Sequence, residues 1–216
     1  PKPGHSLNLV GPSGAGKSSL LRLFAGLEEP TQGTMTRFGA TISTGTELPA
    51  RLDGRVALLT QNPEHHFIAS TVAEDIAWGL LRRGVKESEA RLLSFETAKS
   101  LGVDHLMERP CHALSFGEQR RVALAGLLVL KPEVLLLDEP TSGLDPVAAD
   151  QLRTLVGNLV QQTGATCVWA SHDLHSLPQQ AERTILLRDG QIVFDGHKSE
   201  GLSRTWMLRA GLAVAQ

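Results

Sequence analysis

Short apolar runs alternate along the chain with segments in which apolar residues recur at helical spacing. Such runs favour β-strands. The runs that predict the main strands are Leu7–Val10, Val56–Thr60, Val134–Leu137 and Thr166–Ala170. The run at 134–137 is apolar throughout, which is typical of a strand buried on both faces of a parallel sheet. Strands that alternate with helices in this way predict an α/β fold with a mostly parallel sheet.

Helical spacing and capping residues predict the main helices. The stretches 71–74 and 115–118 fit the capping box, in which a Ser or Thr side chain and a Glu three residues later satisfy free N–H groups. Asp145-Pro146 fits an N-cap followed by proline at the first helical position. The predicted helices are Ser19–Ala25, a helix from Thr71 to about Arg83, Glu87–Leu101, Gln119–Val129 and Val147–Gln162.

Weaker patterns predict a small antiparallel β part and a C-terminal helix. Thr34–Phe38 alternates as an exposed strand does, and residues 39–54 are predicted to be a loop with a weak edge strand. Residues 184–187 and 191–194 flank an Asp-Gly turn that is typical of a β-hairpin. Residues 199–215 predict a helix broken near Gly211.

The order of these elements predicts one domain over residues 1–216. The α/β pattern covers residues 1–63 and 114–216, and the stretch at 64–113 is helical. We therefore expect an α/β core with a helical subdomain inserted at 64–113.

A glycine-rich stretch between the first predicted strand and helix carries the clearest chemistry. It reads Gly11-Pro12-Ser13-Gly14-Ala15-Gly16-Lys17-Ser18 and fits the phosphate-binding pattern G-x-x-x-x-G-K-[ST]. Backbone N–H groups of such a loop, together with the helix N-terminus, bind phosphate oxygens. We expect Lys17 to reach the outer phosphates and Ser18 to ligate Mg²⁺. Ser19 is counted with the same nucleotide-binding residues.

Polar side chains stand at the ends of the other three main strands. Gln61 follows the second run, Asp138 and Glu139 follow the third, and His172 follows the fourth. Because ligands of parallel α/β sheets sit beyond the carboxyl ends of the strands, we expect these groups to face one nucleotide. Asp138 would organise Mg²⁺, and Gln61 would contact the metal or the water. Glu139 would activate the attacking water, and His172 would stabilise the γ-phosphate.

Composition limits the kinds of partner that the chain is expected to bind and the cellular compartment in which it is expected to lie. The 216 residues carry a formal net charge of −2, so nothing calls for a nucleic-acid partner. The longest apolar run, at 122–130, is too short to span a bilayer. Cys111 and Cys167 are far apart and lack metal-binding spacing, which predicts two buried thiols in a reducing compartment.

Taken in order, the motifs resemble those of the nucleotide-binding subunits of ABC transporters. The matching residues are Gly11–Ser18, Gln61, Leu114–Glu118, Leu135–Pro140, Ser142–Asp145 and His172. The resemblance covers nearly the whole chain and implies a RecA-like P-loop NTPase fold. It also implies an ATPase with ATP and Mg²⁺ as cofactors. The catalytic group would then comprise Lys17, Gln61, Glu139 and His172.

The resemblance further implies that two subunits share each nucleotide. Ser115, Gly117 and Glu118 would contact ATP bound to the other subunit, and Asp145 would lie at the interface. The second subunit is identical or a related chain. A transmembrane subunit, contacted through Gln61, and a possible substrate-binding membrane component are the other implied partners, at the cytoplasmic face of the cell membrane.

The stretches 61–63 and 71–79 resemble those of energy-coupling-factor and cobalt/nickel importer ATPases, which implies import of a vitamin or a metal ion. Two residues depart from the common pattern. Phe116 stands where the family usually has glycine, and Glu118 where it usually has glutamine. Two alternatives remain at this point: a non-transport ABC ATPase of DNA repair, chromosome organisation or translation, and a P-loop kinase of small molecules.

Overall fold

The fold is built on one six-stranded sheet. The computed structural model describes residues 5–44 and 54–212. The strands of this sheet, in chain order, are β1 Ser6–Val10, β4 Val56–Leu59, β5 Val134–Asp138, β6 Thr166–Ser171, β7 Arg183–Arg188 and β8 Gln191–His197. Their order across the sheet is β4-β5-β6-β1-β7-β8. Only β8 runs antiparallel to its neighbour, so the predicted mostly parallel α/β sheet is confirmed.

Helices cover both faces of this sheet. They are α1 Lys17–Ala25, α2 Val72–Arg82, α3 Glu87–Ser100, α4 Phe116–Leu128, α5 Pro146–Thr163, α6 Lys198–Gly201 and α7 Arg204–Arg209. One apolar cluster joins α1 to one side of the sheet, and a larger one joins α2, α4 and α5 to the other. Within the described ranges, every helix falls short of the length or the apolar character that crossing a bilayer requires.

A second, two-stranded sheet is not hydrogen-bonded to the first within the described residues. It pairs β2 Thr34–Arg37 with β3 Ala40–Ser43 in antiparallel register. The predicted exposed strand is therefore confirmed, and the weak edge strand of the predicted loop corresponds to β3. The part of that loop at 45–53 lies outside the described residues.

The three predicted helix starts at 71, 115 and 145 are confirmed by their hydrogen bonds. Thr71 and Ser115 each form a complete capping box with the glutamate three residues later. The carboxylate of Asp145 accepts the N–H groups of Val147 and Ala148. Two helices start earlier than predicted, α1 at position 17 and α4 at position 116.

The C-terminal helix is broken, as predicted, but the predicted position of the break was wrong. The chain leaves α6 after Gly201 and restarts as α7 at position 204, whereas Gly211 lies beyond the end of α7. Ser203 holds the extended backbone of a helix N-cap, which separates the two helices. Gly201 also packs so closely on the Phe194 ring that a Cβ there would lie 2.6 Å from a ring carbon. Residues 213–216 of the predicted helix lie outside the described residues.

The stretch at 64–113 contributes no strand to the large sheet within the described residues. It contains α2, α3 and short 3-10 turns at Pro63–His66, Asp104–Leu106 and Cys111–Ala113. Its buried residues belong to the same apolar cluster as α4 and one face of the sheet. The division into a core and a helical subdomain stays a prediction.

Candidate nucleotide-binding site

The loop between β1 and α1 depends on its glycines. Gly14 and Gly16 have φ angles of 80° and 99°, in the left-handed region that side chains rarely adopt. Gly11 lacks space instead, because a Cβ there would lie 2.3 Å from the carbonyl oxygen of Leu187. The backbone therefore wraps closely around the start of α1, as a phosphate-binding loop must.

Lys17 lies beneath this loop with its side chain almost fully buried. Its Nζ donates to the carbonyl oxygens of Gly11 at 2.7 Å and Pro12 at 3.2 Å. The same ammonium lies 3.5 Å from Oε1 of Glu139. The lysine thus joins the loop to the end of β5, as the strand-end argument expects.

Glu139 is the most constrained residue of the site. Its φ of 48° is unusual for a residue with a side chain. Its N–H donates to the carbonyl of Ala170, which continues the pairing of β5 with β6. Oε1 accepts the His172 N–H at 2.9 Å and lies 2.8 Å from His172 Nδ1, while Oε2 accepts the Ser171 hydroxyl at 3.1 Å. The carboxylate is therefore held in one orientation between β5 and β6.

Asp138 and Ser18 are the candidate Mg²⁺ ligands. The Asp138 carboxylate is buried, and its Oδ1 has no hydrogen-bond partner in the described chain. Burial raises the pKa of Asp138, and the hydrogen bond from Ser18 opposes this shift. An unpartnered carboxylate oxygen next to a hydroxyl is the kind of oxygen donor that Mg²⁺ prefers. These residues therefore fit the metal.

Gln61 follows β4 with its side chain exposed. Its main-chain carbonyl accepts a hydrogen bond of 2.7 Å from Nη2 of Arg120. The structure thus places the Gln61 backbone beside β5, while the side chain makes no hydrogen bond to another described residue.

Sequence reasoning missed Arg120, on α4. Its side chain is fully buried, and its Nη1 donates to the carbonyl of Glu139 at 2.7 Å. Desolvation lowers its pKa to about 10, against an opposing contribution from Glu139, so the guanidinium remains charged at neutral pH. A signal was present: Arg120 precedes Ala123 and Leu124 by three and four residues, the spacing of the apolar stripe on a helix.

The segment at 115–118 is separate from the loop at 11–18. Oε2 of Glu118 accepts from the N–H and hydroxyl of Ser115 at 2.8 Å and 2.7 Å, and these bonds lower the pKa of Glu118. Its acidic side chain is thereby turned onto its own helix start. In the described ranges, no hydrogen bond or ion pair joins Ser115, Gly117, Glu118 or Asp145 to residues 11–18.

Known proteins resemble this chain in sequence. Residues 2–142 match a family model described as ABC transporter. The chain is 36% identical over 208 residues to the energy-coupling factor transporter ATP-binding protein EcfA of Methanocaldococcus jannaschii, covering 96% of this chain and 74% of that one. It is 39% identical over 210 residues to the cobalt import ATP-binding protein CbiO of Rhodobacter capsulatus, covering 97% and 75%.

A solved structure agrees with the fold. The structure of cbiO1 from Clostridium perfringens, part of the ABC transporter complex cbiONQ, superimposes with a TM-score of 0.83 at 30% identity, covering 95% of this chain and 82% of that one. The family match spans the phosphate loop and both strand-end carboxylates, and the relatives extend it over nearly the whole chain. This chain therefore belongs to the family of ATP-binding ABC transporter proteins.

Proposed function

We propose that this chain is the ATP-hydrolysing subunit of an ABC-type membrane importer. It dimerises around ATP and drives the import of a small solute such as a metal ion or a vitamin. The observation that carries the proposal is the Glu139 carboxylate, which is fixed between Lys17, Ser171 and His172 at the carboxyl end of the central strands. The names of the relatives, an energy-coupling factor transporter ATP-binding protein and a cobalt import ATP-binding protein, support transport, and the second name supports a metal ion as the solute.

Each residue of the site has a task that follows from its placement. The loop at 11–18 and Ser19 bind the phosphates, and the Lys17 ammonium neutralises the outer ones. Ser18 and Asp138 would hold Mg²⁺, with Gln61 as a further ligand from the end of β4, and the ion would supply positive charge at the phosphate oxygens.

Glu139 acts as the general base for the attacking water. Its orientation is set by Ser171 and by the main-chain N–H of His172. The His172 ring lies against Oε1 and is half-exposed, so it would be free to contact the γ-phosphate. Two rigid strand ends thus hold the base before substrate binds, which favours catalysis by positioning.

The partner subunit supplies the other side of the nucleotide. Gly117 lies in the first turn of α4, where helix N–H groups and the positive end of the helix dipole favour an anion. The neighbouring Ser115 contributes its position at the helix start, since its own N–H donates to Glu118. Glu118 is turned back onto Ser115, so its charge does not oppose the phosphates. The second subunit is an identical or related chain, joined along Asp145, and the dimer attaches to a transmembrane subunit at the cytoplasmic face of the membrane.

The proposal is tested with Glu139→Gln in the chain co-expressed with its transporter partners. ATP binding should stay near that of the original protein, because the phosphate loop is unchanged. Turnover should fall by about 10²–10⁴, the usual contribution of a positioned general base. ATP-bound dimers should accumulate, as measured by light scattering.

Glu133→Gln is the matched control, since it neutralises an exposed glutamate just before the same strand, whose side chain pairs with Arg55 among the described residues. It should leave turnover unchanged. Undiminished hydrolysis in Glu139→Gln contradicts the role of that residue. Hydrolysis that persists after Mg²⁺ is chelated contradicts the metal site, and purification without any membrane subunit contradicts transport.

A further inference from the structure

Arg120 is a buried charge whose partners are unusual. Its side chain has no exposed surface. Its hydrogen-bond partners in the described chain are two main-chain carbonyl groups, those of Gln61 and Glu139, rather than a carboxylate. Burying a guanidinium without a contacting counter-ion is costly. An apolar side chain at this position of the helix would avoid that cost. We therefore expect Arg120 to have a role in the site.

The two carbonyls belong to the ends of neighbouring parallel strands. Gln61 follows β4 and Glu139 follows β5, and each accepts from a different terminal nitrogen of Arg120 at 2.7 Å. A guanidinium is a rigid planar fork, so it fixes the separation of the two groups that it binds. Arg120 therefore sets the spacing between the candidate base and the candidate metal-contacting residue through their main chains.

The backbone at Glu139 needs such support. Its left-handed φ of 48° is disfavoured for a residue with a Cβ, and strained residues persist only where the surroundings over-determine them. The N–H of Glu139 is held by Ala170, whereas its carbonyl accepts from the Ser142 N–H and from Arg120. Among the residues that the structure describes, Arg120 supplies the one side-chain donor to this peptide carbonyl.

Phe116 holds Arg120 from the other side. The Arg120 guanidinium carbon lies 4.8 Å from the centre of the Phe116 ring, within the range of a cation–π contact. The ring also lies against Gly143, where a Cβ would come within 3.1 Å of a ring carbon. The aromatic residue that replaces the usual glycine thus packs between the buried arginine and the turn that leads to α5.

We propose that Arg120 is a positioning residue for ATP hydrolysis, which fixes the main chains of Glu139 and Gln61 and is itself held in place by Phe116. This role rests on the proposed function. It links the first turn of α4, which is expected to serve the partner's nucleotide, to the base that serves the chain's own nucleotide.

The first test compares Arg120→Met and Arg120→Lys with the original protein. Methionine keeps much of the side-chain volume but donates no hydrogen bond, so kcat should fall on the order of 10²-fold, as small misplacements of catalytic groups do. The Kd for ATP should change little, because no contact to the loop at 11–18 is removed. Lysine keeps the charge without the planar fork, so its kcat should be intermediate.

The matched control is Arg83→Met, which removes another guanidinium that donates to a main-chain carbonyl, that of Leu130, at 3.2 Å. Its kcat should stay unchanged. Phe116→Leu should lower kcat several-fold in the original protein and have no further effect in the Arg120→Met background, because residues that act through one another are not additive.

A second readout does not depend on turnover. Hydrogen–deuterium exchange should accelerate in Arg120→Met at the peptides containing 59–62 and 138–142, which include the Ser142 N–H bound to Glu139. Peptides of α3 should exchange as before. If the original protein fails to hydrolyse ATP, the proposed function falls, whereas local acceleration of exchange still supports Arg120 as the residue that fixes these strand ends.

Three results overturn the inference. One is a folded Arg120→Met protein with unchanged kcat and exchange, and another is a loss of ATP affinity as large as the loss of kcat. The third is full additivity of the two substitutions. If Arg120→Met does not fold, the same measurements on Arg120→Lys and Phe116→Leu decide the question: exchange and kcat that match the original protein in both variants overturn it.

Discussion

Asp75 offers a sharp test of how the segment after Gln61 is held. It lies in the first turn of α2, nearly buried, and its Oδ1 accepts the N–H groups of Ile68 and Ala69 at 2.7 Å and 3.1 Å. Both bonds end on the same oxygen. An amide oxygen can accept both, so Asp75→Asn and Asp75→Ala separate the need for an acceptor from the need for a charge.

The two substitutions should differ clearly in free energy of unfolding. Asp75→Ala removes two hydrogen bonds, each with a net worth of about 0.5–1.5 kcal/mol, so we expect a loss of about 1–3 kcal/mol. The full penalty of a buried unpaired group does not apply, because Ile68 is exposed and water reaches the freed N–H groups. Asp75→Asn keeps both bonds and should cost less than about 1 kcal/mol.

The raised pKa of Asp75 also predicts how the free energy of unfolding changes with pH. Burial raises the pKa of Asp75, and the two N–H bonds only partly oppose the shift. A carboxyl whose folded pKa is raised contributes stability below its unfolded pKa and loses it as pH rises through the folded pKa. The stability of the original protein relative to Asp75→Asn should therefore increase as pH falls from about 7 to about 4.

Urea unfolding followed by intrinsic tryptophan fluorescence, to which the buried Trp169 contributes, measures these differences. Asp104→Ala is the control, because it removes a half-buried carboxylate without a hydrogen bond in the described chain. If Asp75→Asn is as unstable as Asp75→Ala, the charge and not the acceptor holds the segment. If the pH trend has the opposite sign, burial does not dominate the pKa of Asp75. Either result refutes the reasoning.

Two further predictions follow from packing. Gly11→Ala should destabilise the fold by about 1–3 kcal/mol and abolish ATP binding, because its Cβ would lie 2.3 Å from the Leu187 carbonyl oxygen; retained binding in an equilibrium titration would contradict the expected fit of the loop. Burial raises the pKa of Cys111 to about 11 and that of Cys167 to about 12. Iodoacetamide at about pH 8 should therefore label both thiols slowly in the native protein and rapidly in urea, since only the thiolate reacts; rapid native labelling would show that a thiol is accessible.

Sequence patterns predicted the elements that local physics determines. Capping boxes at Thr71 and Ser115 and the N-cap at Asp145 need only residues within one turn, and all three form. The strand ends were also predictable, because apolar runs define a parallel sheet and a parallel sheet brings its carboxyl ends together. This is why Asp138, Glu139 and His172 were located without the structure.

Features set by distant contacts were not predictable in the same way. Arg120 is held by carbonyl groups that lie 19 and 59 residues away in sequence. Its charge alone would instead predict a side chain on a solvent-exposed helix face. The left-handed backbone conformation of Glu139 could not be predicted from its residue type, because glutamate rarely adopts it. The C-terminal break lies where Ser203 adopts the extended backbone of a helix N-cap, whereas the sequence prediction favoured the glycine at 211.

The pairing of Lys17 with Glu139 has a consequence for how substitutions at the two residues combine. The ammonium donates to the loop carbonyls and lies 3.5 Å from the carboxylate of Glu139. Neutralising either residue therefore removes a nearby opposite charge from the other. Substitutions of residues in contact are usually not additive. The effect of changing both residues should therefore differ from the sum of the two single effects, which makes the phosphate loop and the end of β5 one energetic unit.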